Sequence, residues 1–218
     1  MHDDFAFLDE VVPGVRWDAK YATWDNFTGG PVEGYLANRI MGTRALCVAL
    51  ADARDLAATM GLGLLVWDGY RPQRAVDCFV RWSKQPEDGR TKHRHYPHID
   101  RCEMFEQGYV ATKSAHSRGS TVDLTLFDLE TGDLVPMGGG FDLMDTSSHH
   151  GAKGITRDAA RGRRQLRAIM EASGFDAYPL EWWHYTLSDE PYPDTYFDFP
   201  VDSPIASAVY AATAVRWR

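Results

Sequence analysis

Two well-separated segments hold the residues with the clearest chemistry: Ser114-Ala115-His116-Ser117-Arg118-Gly119-Ser120-Thr121-Val122-Asp123 and Glu181-Trp182-Trp183-His184. They supply two imidazoles and one carboxylate, with a second carboxylate three residues before the last imidazole. A catalytic Zn²⁺ takes three N or O ligands from protein and keeps its fourth position for a water that the metal acidifies. His116, Asp123 and His184 fill those three positions. Glu181 is better placed as general base than as a fourth ligand, because four protein groups would leave no position for water.

The elements that position these residues are constrained by the spacing. Were residues 116–123 one extended strand, the two ligands would lie about 23 Å apart on opposite faces. The chain must therefore fold back, and Arg118-Gly119-Ser120 is where it turns. Val122-Asp123-Leu124-Thr125-Leu126 reads as a half-buried strand that aims Asp123 away from Val122 and Leu124 into a cleft. Glu181 and His184 share a face only in a turn or helical bend, which Pro179 just upstream favours.

The patterns S-x-H-x-x-G-x-x-x-D and E-x-x-H, in this order, resemble the zinc D-alanyl-D-alanine dipeptidases of the vancomycin-resistance type, within the D,D-peptidases acting on peptidoglycan precursors. The order and spacing of features match from about residue 15 to 190. The resemblance implies helices packed on a central, mainly antiparallel sheet with zinc in a cleft, an α+β fold shared with hedgehog-like domains. It also implies that Arg71, in Trp67-Asp68-Gly69-Tyr70-Arg71-Pro72, stabilises the tetrahedral intermediate. Asp142 and Tyr21 match the positions that hold the substrate's amino terminus, and Ser114 the hydroxyl that binds its carboxyl end. Asp68 would orient the ligands or Arg71 from behind. Thr121 stands where the family commonly has alanine, and 149–155 match no pattern.

Residue reading supports the place of Arg71. Leu64-Leu65-Val66-Trp67 is a short apolar strand, Asp68-Gly69 a turn and Pro72 a favoured first helical residue. Arg71 would then sit at a strand-to-helix junction, where its fixed charge opposes a developing oxyanion. One Zn²⁺, Asp123, Glu181 and neutral His116 and His184 sum to about zero, so Arg71 leaves about one net positive charge where the oxyanion forms. Asp142 would face the ammonium of a small zwitterion.

Three functions remain open from the sequence. The first is hydrolysis of free D-alanyl-D-alanine, which the resemblance links to glycopeptide resistance or cell-wall dipeptide turnover. The second is a carboxypeptidase or endopeptidase on longer peptidoglycan peptides. The third is a non-catalytic zinc-binding module, against which Glu181 and Arg71 both argue.

Other clusters read as structural. His93, His95 and His98 form a polar loop with no interleaved acid, and Arg157, Arg161, Arg163, Arg164 and Arg167 a solvated helix face. Trp182 and Trp183 suit core packing as well as a pocket wall.

The chain of 218 residues reads as a single domain, 1–218, without repeat or linker. A net charge of −8 argues against nucleic acid and anionic membrane as partners. Cys47, Cys78 and Cys102 read as buried thiols of a reducing compartment. The acidic start Met1-His2-Asp3-Asp4 lacks a basic region followed by an apolar stretch, and no apolar run approaches the ~20 residues that span a bilayer. A cytoplasmic protein acting on a small dipeptide is expected, with homo-oligomerisation left open.

Periodicity predicts a helix over 36–60 with Leu46, Leu50, Ala53, Ala57 and Met60 on one face and Gly61 as terminator. A second helix starts at Pro72 with Val76, Phe79 and Val80 inward. A third is capped by Thr156 and ends at Gly174 after Leu166, Ile169 and Met170. Strands are expected near 64–67, 122–127 and 183–187, with a hairpin partner at 133–136. Tyr192–Arg218, Pro-rich then Ala-rich, receives no assignment.

Overall fold

The computed structural model describes residues 2–202; the Ala-rich stretch 203–218, part of the expected single domain, lies outside the described residues. In chain order the elements are β1 (Phe5–Phe7), α1 (Leu8–Val11), β2 (Arg16–Trp17), β3 (Met41–Thr43), α2 (Arg44–Thr59), β4 (Leu62–Asp68), α3 (Gln73–Ser83), α4 (Lys92–His95), β5 (Thr121–Asp128), α5 (Arg157–Ala172), β6 (Phe175–Ala177) and β7 (His184–Leu187). The main sheet has the order β2-β4-β5-β7-β6, and β1 pairs with β3 in a separate ribbon. Only β2–β4 is parallel in the main sheet, so the fold is the α+β arrangement with a mainly antiparallel sheet.

Strand β5 is central and buried from Thr121 to Phe127 on both faces, rather than half-buried. Helix α2 covers the sheet at β4 and touches α5, which packs on β6. Leu46, Leu50, Ala53 and Ala57 of α2 and Leu166, Ile169 and Met170 of α5 are buried in the core. Trp182 and Trp183 are also core residues, each 1% exposed.

Two sheet registers set up the cleft. Asp123 lies directly opposite His184 across β5–β7 and opposite Asp68 across β4–β5. The second pairing depends on a bulge: Val66 faces Leu124, Trp67 has no partner, and Asp68 then faces Asp123. An extra residue in one strand reverses which side chains share a face. The bulge thus puts Asp68, Asp123 and His184 in one row across three strands.

Several expectations are corrected. The helix over 36–60 begins only at Arg44, because Met41–Thr43 pairs with β1 and the Thr43 hydroxyl caps Leu46 N at 3.2 Å. Met60 falls beyond the last helical turn and is 46% exposed. Pro72 precedes α3 rather than opening it, and Val80 is half-buried. The hairpin partner at 133–136 is reduced to the bridge Phe127–Leu134. Of the cysteines only Cys47 is buried; Cys102 is exposed.

Two readings of basic clusters also change. His95 lies in α4 and is 2% exposed, so the histidine cluster is not simply a polar loop. Arg163 is 4% exposed and donates to the carbonyls of Met137, Ser147 and His149, because Gly162 lets α5 approach Pro136. It anchors the 137–149 segment instead of facing solvent.

Residues 192–202, unassigned from sequence, strap the back of the site. Phe197 donates its N–H to Ser117 O at 2.9 Å and accepts from Gln73 N at 3.0 Å. One peptide segment thereby ties the turn carrying His116 to the helix that follows Arg71.

Candidate metal centre and substrate cavity

His116 sits in a 3₁₀ turn, Ala115–Arg118, which ends at Gly119 with φ +86°. A Cβ at Gly119 would lie 2.4 Å from the Phe5 ring, so both its conformation and its packing require glycine. This is the reversal expected from the spacing. His184 opens β7 directly after a turn in which its N–H reaches Glu181 O at 3.3 Å. The turn brings the Glu181 carboxylate to 3.5 Å from His184 Nδ1.

Three donor atoms converge. His116 Nε2 lies 3.2 Å from His184 Nδ1 and 3.2 Å from Asp123 Oδ2, and His184 Nδ1 lies 3.1 Å from Asp123 Oδ1. Ligands about 2.0–2.1 Å from one tetrahedral ion stand about 3.3–3.4 Å from each other, so the spacing fits one metal. Asp123 Oδ1 is buried without a hydrogen-bond partner, a cost that a cation would remove. His116 Nδ1 is 2.7 Å from Gly69 O and must donate to it, which leaves the Nε2 lone pair aimed at the other two ligands. The donors fit a divalent metal.

The electrostatics follow from burial and close opposite charges. Burial alone would raise the Asp123 carboxyl, but His116 and His184 hold it below the usual carboxylate range. Burial pushes the Glu181 carboxyl up to about 7, against the opposing charges of His184 and Arg71.

Arg71 enters from the junction of β4 and α3. Its Nε and Nη2 reach Asp68 Oδ2 at 2.9 and 2.8 Å, and Nη2 lies 3.5 Å from Asp123. Asp68 in turn accepts from the Tyr35 hydroxyl at 2.6 Å. Burial opposes the charge on Arg71, yet Asp68 beside it and the Tyr21 ring, 4.9 Å from its Cζ, favour the cation.

A cavity of about 430 Å³ opens onto this centre, lined by Tyr21, Arg71, Ser114, Asp142, Glu181 and the three candidate ligands among others. The Tyr21 hydroxyl donates to Asp142 at 3.0–3.1 Å, so Tyr21 orients that carboxylate. Burial pushes Asp142 well above the usual carboxylate range, with Asp123 adding to the effect. Asp142 is the non-glycine residue at positive φ, +56°, among the described residues. Strain of this kind persists where surrounding structure enforces it. Here His95 supports it, with Nδ1 3.2 Å from Asp142 O. Ser114 Oγ accepts from His116 N at 3.3 Å, which leaves its hydroxyl proton able to donate.

The structure thus gathers all nine residues singled out from the sequence around one cavity, with Asp68 behind Arg71. Sequence reasoning missed Tyr35, His95, Gly69 and the lining residues Tyr109, Lys113 and Tyr178. Gly69 carried a signal as half of the Asp-Gly turn, His95 as a member of the histidine cluster and Lys113 as the neighbour of Ser114; Tyr35, Tyr109 and Tyr178 carried none.

A mixed α+β fold bearing a His-Asp-His centre beside a half-buried arginine and an acid defines a metallopeptidase. The chain belongs to the Peptidase_M15 family, D-ala-D-ala dipeptidase, which it matches over residues 1–202. It is 69% identical to the D-alanyl-D-alanine dipeptidase of Streptomyces coelicolor over 201 residues, covering 92% of this chain and 100% of the relative. The D-alanyl-D-alanine dipeptidase of Enterococcus faecium is 65% identical with the same coverage. That of Escherichia coli K12 is 34% identical, covering 83% of this chain and 82% of the relative.

Proposed function

We propose that this chain is a zinc-dependent dipeptidase that hydrolyses D-alanyl-D-alanine to two D-alanines, in glycopeptide resistance or cell-wall dipeptide turnover. The observation that carries this reading is the convergence of three donor atoms beside the Glu181 carboxyl and the half-buried Arg71 in one small cavity. His116, Asp123 and His184 would hold Zn²⁺, which when bound polarises the scissile carbonyl and acidifies a water. Glu181 takes a proton from the attacking water at a carboxylate oxygen and returns it to the amine as the C–N bond breaks. Arg71, held at a fixed angle by Asp68, opposes the negative charge growing on the carbonyl oxygen. Asp142, oriented by Tyr21, receives the substrate ammonium, and Ser114 donates to its carboxylate.

A longer peptide has no ammonium to meet Asp142, which favours the free dipeptide over the carboxypeptidase reading. A cytoplasmic setting is supported by free thiols at Cys47, Cys78 and Cys102. No helix among the described residues is long and apolar enough to cross a membrane.

The test is D-alanine release by zinc-loaded protein from D-alanyl-D-alanine, its N-acetyl derivative and a longer D,D-terminated peptide, each with a chelator control. Chelator-sensitive cleavage of the free dipeptide alone supports the proposal. Cleavage of the longer peptide would replace it with the carboxypeptidase, and zinc binding without cleavage with the binding module.

A further inference from the structure

The charged groups lining the cavity are unevenly committed. Asp123, Asp142, Asp176 and Glu181 supply its carboxyl groups, and Arg71 and Lys113 are its lysine and arginine cations. Arg71 already has Asp68 at 2.8 Å and Asp123 at 3.5 Å. Lys113 has no carboxylate within ion-pair distance among the described residues; its Nζ rests 4.5 Å from the centroid of the Tyr196 ring. It is exposed, so nothing holds it but that weak contact. Lys113 immediately precedes Ser114, whose hydroxyl proton is also uncommitted.

From this we infer that Lys113 is the specificity-determining cation of the cavity, pairing with the C-terminal carboxylate of the substrate beside Ser114. The inference rests on the proposed dipeptidase reading and deepens it. The substrate is a zwitterion, and in a chain of net charge −8 its carboxylate pole meets repulsion from acidic side chains unless a cation faces it. Lysine suits such a position because its ammonium is a compact charge on a flexible stem, which leaves the Tyr196 ring when a stronger partner arrives. Substrate and transition state carry the same carboxylate. The pairing therefore contributes uniform binding, which sets KM and selects against substrates lacking that charge.

The experiment compares D-alanyl-D-alanine with its neutral C-terminal amide on zinc-loaded full-length protein. Variants are Lys113→Gln, Lys113→Arg and Lys84→Gln, the last an exposed lysine on the turn after α3 that removes the same charge elsewhere. The expected result is that Lys113→Gln erodes the preference in kcat/KM for acid over amide by about tenfold, through KM for the acid. Lys113→Arg and Lys84→Gln keep the preference within about twofold, and added salt weakens it in the parent protein. An unchanged preference in Lys113→Gln, or an equal loss on both substrates, overturns the assignment. Cleavage of neither substrate by the parent protein overturns the dipeptidase reading itself, and the assignment with it.

Discussion

Asp68 receives both Nε and Nη2 of Arg71 on a single carboxylate oxygen, Oδ2, at 2.9 and 2.8 Å. Its other oxygen is taken by Tyr35, so the carboxylate cannot rotate without losing a hydrogen bond. The guanidinium, which lines the same cavity as Glu181, is thereby held by a group 1% exposed. Arg71 acts as a fixed cation only because Asp68 is fixed first.

Asp68→Asn should lower kcat about 10- to 100-fold with little change in KM, since it keeps an acceptor but removes the charge that orients Arg71. Asp68→Ala should also cost about 3 kcal/mol of stability, because it removes the buried member of the pair and leaves the half-buried Arg71 with only the 3.5 Å contact to Asp123. Steady-state kinetics and urea unfolding separate the two effects. Wild-type kcat in the Asn variant would contradict the positioning role.

Glu181→Gln should reduce kcat by about 10²–10⁴-fold while the protein retains one metal per chain. Metal content measured beside turnover decides the outcome. Loss of metal would make Glu181 a ligand instead of the base.

His116→Ala should abolish metal binding and activity together, and a chelator should do the same to the parent protein reversibly on zinc addition. Because a bound metal stabilises only the folded state, chelation should also lower Tm. A Tm insensitive to both metal and chelator would argue against a site built from these residues.

Gly69→Ala should destabilise the fold by about 1–3 kcal/mol and weaken metal binding about tenfold. A Cβ there would lie 2.6 Å from Met41 O, and the carbonyl of Gly69 is the acceptor that orients His116. Metal titration of the refolded variant is the check.

Burial and the neighbouring Arg94 push the His95 imidazole down to about 4, against about 6.5 in an unfolded chain. Between these values the unfolded state binds a proton that the folded state refuses, so stability rises with pH. It should be lost as pH falls from about 6.5 toward 4, with a slope of at most ~1.4 kcal/mol per unit from this residue. Denaturant midpoints at several pH values should show a shallower slope in His95→Gln. An identical slope would mean that other groups dominate acid unfolding.

The chemistry is legible in the sequence because ligand types, the Gly119 reversal and the Glu181–His184 turn are local. Each depends on residues within a few positions of one another. The helices are legible where periodicity and caps agree, as in α5 with Thr156 and Gly174. They are misread where a nonlocal pairing intervenes: Met41–Thr43 joins β1, and strand pairing overrides the helical pattern upstream of Arg44.

What the sequence determined by itself was the set of reactive groups, their order and the turns that reverse the chain between them. Tertiary structure alone decided that Trp67 bulges out and lets Asp68 face Asp123. It alone made His95 the support of Asp142 and Arg163 the anchor of 137–149. Register, burial and partner choice depend on which distant segments meet. A single strand or helix carries its own period and caps, but not the identity of the side chain that the packed core will place opposite it.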